Sequence, residues 1–98
     1  MNPFIVFEIN DPTQIEAVKG ALSPLGYYSA WVSNGVRYEF PSNCVWKVNS
    51  ELQSALTDLQ NAIGILNQTR GDNLIRLLKC VVLSNTPWVA LPTVTTPA

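Results

Sequence analysis

Histidine is absent from the 98 residues of this chain. That removes the commonest general base and the commonest transition-metal ligand together. No Ser/His/Asp or Cys/His catalytic set can be assembled without it. Charge is scarce as well, at 13% of residues, against about 25% in ordinary soluble domains. The basic residues Lys19, Arg37, Lys47, Arg70, Arg76 and Lys79 are dispersed, and the net charge is −1. A phosphate-binding footprint normally needs clustered Lys and Arg, so none is expected. Glycine-rich phosphate loops are missing too. No apolar run approaches the roughly 20 residues of a membrane span. The first residues lack a basic segment followed by an apolar stretch, so we expect no signal peptide and a cytoplasmic protein. Of the two cysteines, Cys44 and Cys80, each lies in an apolar run, which favours buried reduced thiols over a disulfide.

What the chain does have is apolar surface: 47% of its residues are hydrophobic. The length suits one domain with a single modest core. A domain this small with so few charged groups is short of solvating surface, which points to apolar area covered by a partner.

The stretch Phe4-Ile5-Val6-Phe7-Glu8-Ile9 is apolar on both alternating faces, as a central strand is. Asp11-Pro12-Thr13-Gln14 reads as a helix start, with Asp11 as cap and Gln14 reaching back in a capping box. Ile15, Val18, Leu22 and Leu25 then make one apolar stripe, ended by Pro24 and Gly26. Tyr27 to Val32 reads as a strand, Ser33-Asn34-Gly35 as a tight hairpin turn, and Val36 to Phe40 as the returning strand. After the break at Pro41-Ser42-Asn43, Cys44 to Val48 is extended again. Ser50 and Gln53 have capping-box spacing, and Leu52, Ala55, Leu56, Leu59, Ala62, Ile63 and Leu66 form a helical stripe about 17 residues long. Residues 75–83 make a last strand, apolar on both faces. Trp88 to Leu91 forms one more short extended piece, and 92–98 is a Pro/Thr-rich tail.

Strand, helix, strand pair, helix, strand is the order of a ferredoxin-like β-α-β-β-α-β sandwich. The expected fold is therefore α+β. It has an antiparallel sheet with two helices on one face and a short extra C-terminal strand, in one domain over 1–91. Only two strands are needed between the helices, so one of 27–32, 36–40 and 44–48 is surplus. It is either an edge extension, or 36–40 and 44–48 are one bent strand with a bulge. The sheet face away from the helices would present Phe4, Val6 and part of the tyrosine and tryptophan set, and a second subunit is its simplest cover.

FIVFEIND at 4–11, SNCVWKVNSELQSAL at 42–56 and TPWVAL at 86–91 resemble small ferredoxin-fold proteins. These are grouped with CRISPR-associated endonuclease subunit 2 and virulence-associated protein D. The resemblance implies a homodimer in which the two sheets meet and a C-terminal strand, here Trp88 to Leu91, adds to the partner's edge. It also implies that an acidic residue at the end of the first strand, contributed by each subunit, holds a metal for phosphodiester cleavage. Glu8 occupies roughly that position, with Asp11 three residues on. The chain departs from that pattern in carrying Glu where Asp is usual and in lacking basic residues after the first strand.

Two readings of function follow. One is a small non-enzymatic interaction module that acts as a homodimer and binds a protein partner through its sheet face or edge. Phe4, Val6, Trp88, Val89 and Leu91 would be interface residues, with no cofactor. A mobile-element or phage-encoded inhibitor of a host system would fit the size and acidity. The alternative is a magnesium-dependent nuclease or nucleic-acid-binding dimer with Glu8 and Asp11 as catalytic carboxylates, since hard carboxylates suit magnesium. Asp11 is already explained as a helix cap and Glu8 as a solvent-facing residue, which favours the first reading. Tyr27, Tyr28, Trp31, Tyr38 and Trp46 are aromatic enough to stack bases. Without a ribonucleoprotein signature or surrounding positive charge, core or interface is the simpler role for them. The Asn67-Gln68-Thr69 and Arg70-Gly71-Asp72 triplets read as coincidences within a turn.

Overall fold

The computed structural model describes residues 2–84. The expected strand Trp88–Leu91 and the tail 92–98 lie outside the described residues.

The first strand, β1 (Pro3–Ile9), lies in the middle of a four-stranded antiparallel sheet, as its two apolar faces require. It pairs on one side with β5 (Cys44–Lys47), through Phe4↔Trp46, Ile5↔Val45 and Val6↔Cys44. On the other side it pairs with β6 (Leu77–Ser84) along its whole length, from Pro3↔Ser84 to Ile9↔Leu77. A two-residue strand, β2 (Tyr27–Tyr28), pairs with the outer side of β5. The sheet order is therefore β2-β5-β1-β6.

Two helices, α1 (Ile15–Leu22) and α2 (Leu52–Asn67), pack on one face of this sheet. The core joins Ile5, Phe7 and Ile9 of β1 to Val18 and Leu22 of α1 and to Ala55, Leu59, Ala62 and Ile63 of α2. Tyr27, Val45 and Ile75 complete it. Each large aliphatic or aromatic side chain buried there contributes roughly 1.5–3 kcal/mol of transfer free energy. The chain is thus α+β, with antiparallel sheets and two helices, and compatible with a ferredoxin-like arrangement.

Both helix starts differ from the capping boxes expected. The Oδ1 of Asp11 accepts from the Thr13 amide at 3.1 Å and the Thr13 hydroxyl at 2.6 Å. The capped segment is a 3-10 turn, Pro12–Gln14, that feeds into α1. The Gln14 side chain does not reach back to Asp11, although the Gln14 backbone amide donates to the Asp11 carbonyl at 3.0 Å. Its Nε2 donates to Thr13 Oγ1 at 3.3 Å, and its Oε1 accepts from Arg70 in the loop after α2. At α2 the cap is Glu51, with no side-chain capping bond, and the Ser50–Gln53 box does not form. Asn49 is left-handed, with φ 51°, and its amide donates to Asn2 Oδ1 at 2.8 Å. That turn carries the chain past Ser50 before the helix begins.

The segment between the helices resolves neither as an edge extension nor as one bent strand. The extended run 27–32 breaks at Ser29, leaving β2 in the main sheet. Residues 30–39 form a separate two-stranded sheet of β3 (Ala30–Ser33) and β4 (Val36–Glu39). Its turn has positive φ at both Asn34 (52°) and Gly35 (75°), as an Asn-Gly hairpin turn requires. This hairpin lies against the sheet face remote from the helices. Phe40 meets Phe4 edge-on, with ring centroids 4.8 Å apart, and Trp31 meets Trp46 at 4.4 Å. The Trp46 indole N–H donates to the Ala30 carbonyl at 2.7 Å. The expectation that this face displays its tryptophans to a second subunit is corrected for the β5 half, which the chain covers itself. Cys44 and Trp46 are buried there.

Candidate functional site

The β6 half of the same face carries no such cover among the described residues. Side chains alternate along an antiparallel ladder, so Phe4, Val6 and Glu8 of β1 share this face with Leu83, Val81 and Lys79 of β6. Phe4 and Val6, both expected at an interface, are half-buried. Val81 and Leu83, which sequence reasoning did not single out, are 53% and 51% exposed. Glu8 and Lys79 stand directly opposite each other at the end of this strip. The register shifts between Glu8 and Ile9, which leaves Leu78 as an extra, half-exposed residue on β6.

Two asparagines hold the approach to β6. Asn10 Nδ2 donates to the Leu74 carbonyl at 3.0 Å, and its Oδ1 accepts from the Arg76 amide at 2.7 Å. Asn67, at the end of α2, exchanges both of its amide groups with the backbone of Ile75, each at 2.8 Å. A carboxamide offers a peptide-like donor and acceptor together, so one side chain can stand in for a strand. Asn43 acts likewise, its Nδ2 donating to the Phe7 carbonyl at 3.1 Å. Sequence reasoning missed all three, since asparagine in a polar turn signals only a turn.

The two candidate carboxylates are put to different uses. Glu8 leaves β1 on the sheet face, exposed, opposite Lys79. Asp11 is engaged by Thr13, whose hydroxyl and then amide hold its carboxyl below the ordinary range, with a further pull from Arg70. Among the described residues no group of three or more His, Cys, Asp or Glu side chains is placed to hold a metal ion. A metal on Glu8 would need ligands from outside this set.

A second feature lies between α1 and the β2 edge. Glu16, Lys19, Gly20, Ser23, Tyr27, Ser29 and Val45 line a cleft of about 220 Å³. The charges on its α1 side already face each other, with Lys19 Nζ 3.4 Å from Glu16. Nearby, the Tyr27 hydroxyl donates to Asp58 Oδ2 at 2.8 Å, and Lys47 Nζ lies 3.9 Å from the same oxygen. Burial, then the Asp58 carboxylate, pushes the Tyr27 hydroxyl pKa upward. These groups tie β2 and β5 to α2, and the trio reads as a structural latch.

Both thiols are free; Cys44 is buried and Cys80 half-buried, and burial raises the pKa of each. Among the described residues no helix is long and apolar enough to cross a membrane. Comparison with protein-family models, curated proteins and solved structures finds no match to this chain.

Proposed function

We propose that this protein is a small non-enzymatic interaction module that works as a homodimer and binds a further protein through its sheet face or edge. Its frame is then a ferredoxin-like β-α-β-β-α-β sandwich with a hairpin inserted between the second and third strands. Setting that hairpin aside, the order β2-β5-β1-β6 has the first and third strands central, which supports this frame. The observation that carries the functional reading is the bare strip on the β6 half, where Val81 and Leu83 stand half in water beside Phe4 and Val6. Apolar side chains grouped in this way are what a protein partner covers.

Sedimentation of the pure chain over a range of concentrations tests the dimer. A monomer throughout that range overturns it. Incubation with DNA and RNA in magnesium, beside a Glu8→Ala variant, tests the catalytic alternative drawn from the resemblance to CRISPR-associated endonuclease subunit 2. Cleavage that is lost in the variant would replace the present reading with a magnesium-dependent nuclease; absence of cleavage with both proteins keeps it.

A further inference from the structure

The free edge of β6 adds a second observation to the bare strip, and together they specify how two copies meet. The Phe7 amide donates to the Asn43 carbonyl at 3.1 Å, and the Phe7 carbonyl accepts from the Asn43 side chain. Peptide groups of odd-numbered β1 residues therefore turn toward β5, and those of Phe4, Val6 and Glu8 toward β6. Their opposite residues Leu83, Val81 and Lys79 spend their own N–H and C=O groups on β1. Those of Cys80, Val82 and Ser84 point the other way, to an edge that is unpaired among the described residues. Apolar side chains flank this edge on both faces. Val81 and Leu83 lie on one, and the partly buried Cys80 and Val82 lie on the other, packed against the core. A partner that docks only on the open face meets Val81 and Leu83 and leaves the backbone edge unpaired. A strand added at the edge pairs that backbone and sets side chains beside both rows.

We propose that β6 pairs antiparallel with β6 of a second copy, across a two-fold axis at Val81, joining the two sheets into one. This rests on the dimer reading above and supplies its geometry. An antiparallel register must set outward-pointing residues against outward-pointing residues, which allows only alternate alignments. With the axis at Val81, Cys80 exchanges hydrogen bonds with the partner's Val82, and Val82 with the partner's Cys80. About four backbone bonds then form around the axis. Val81 faces the partner's Val81, and Leu83 faces the stem of the partner's Lys79. Moving the axis to Cys80 would set the two Lys79 residues diagonally on one face, with backbone positions about 7–8 Å apart, bringing like charges onto the same diagonal. Moving it to Val82 shortens the overlap among the described residues and leaves Leu78 without a described partner. Lys79 is the only charged residue in β6, with Glu8 of β1 opposite it, so this pair carries the electrostatic difference among the alignments.

The test uses the full chain, two substituted variants and a form lacking residues 85–98. Val81→Lys places two ammonium groups face to face at the axis, at a position exposed enough to accept lysine, and circular dichroism checks its fold. Association should weaken at least tenfold and recover in part at high salt. Val81→Cys in a Cys80→Ser background should cross-link to a covalent dimer on mild oxidation, because a directly opposed non-hydrogen-bonded pair has the closest Cβ approach. The unsubstituted chain should not cross-link through Cys80. A dimer that neither weakens with Val81→Lys nor cross-links through Val81→Cys overturns the β6 pairing while leaving the dimer reading intact. A cross-link through Cys80 moves the axis and overturns the register. Association that appears only when residues 85–98 are removed would mean that this segment takes the edge in the intact chain, and also overturns the proposal. A monomer in every form overturns both the pairing and the dimer.

Discussion

The two halves of the sheet face remote from the helices are built from similar residues and meet different fates. On the β5 half, Cys44 and Trp46 are 4% and 6% exposed beneath the hairpin. On the β6 half, Val81 and Leu83 remain about half exposed. Composition does not distinguish them, since both are apolar and β-rich. Connectivity does: the hairpin is inserted between β2 and β5, so it folds back over the strands it joins and stops at Phe4, on the near side of β6. Among the described residues, the part of the face that the chain covers itself is thus decided by where the segment 29–43 is inserted, and what is left over becomes the candidate site.

Substitutions can sharpen that contrast. The largest effect is expected from Trp46→Ala, which removes a buried ring, its contacts with Trp31 and Tyr28, and its bond to Ala30. Urea unfolding should show a loss of about 3–5 kcal/mol, in the range for truncating a buried aromatic. A much smaller loss would mean that the hairpin is only loosely seated. Next comes Asn67→Ala, which strips both partners from the Ile75 backbone next to β6. It should cost about 1–3 kcal/mol, the range for leaving buried groups unsatisfied. Hydrogen exchange should quicken over residues 75–80 while the β5 half stays protected.

Tyr27→Phe removes one side-chain hydrogen bond from the latch to α2, worth about 1 kcal/mol. Its pH signature is more specific. The folded-state pKa of Tyr27 lies above its ordinary value of 10.0. The stability it confers is therefore complete below pH 10 and falls as pH rises beyond it, because the unfolded chain ionises first. Denaturation of the parent chain should weaken above that pH more steeply than that of Tyr27→Phe. The smallest effect belongs to the bare half. Leu83→Ser should change the stability of the dilute protein by no more than about 0.5 kcal/mol, as for an ordinary surface position. It should weaken self-association at the same time, and a large loss of stability in dilute solution would show that the strip is covered within one chain.

Much of the frame was legible in the sequence. The two apolar faces of Phe4–Ile9 placed β1 centrally, the stripe from Leu52 to Leu66 marked α2, and Asn34-Gly35 marked the hairpin turn. The division of 27–48 was not legible. Ser29 breaks the strand without the Gly or Pro that usually marks a break, so Tyr27 to Val32 read as one strand. Nothing local to Trp31 or Trp46 says that they meet. The capping boxes failed for a related reason, because Gln14 found Arg70 and Asn49 found Asn2, partners far away in sequence. Of the candidate site, Phe4 and Val6 could be read from alternation in the first strand. Val81 and Leu83 could not, because the last strand is apolar at nearly every step and gives no sign of which face lies bare.

Asn10 and Asn67 grip residues 74–76 from two directions, immediately before β6 begins. A strand slid by one residue would turn Val81 and Leu83 inward and Cys80 and Val82 outward. With its start indexed by two carboxamides, β6 has no such freedom to creep, and every copy of the molecule shows neighbours the same row of side chains in the same phase.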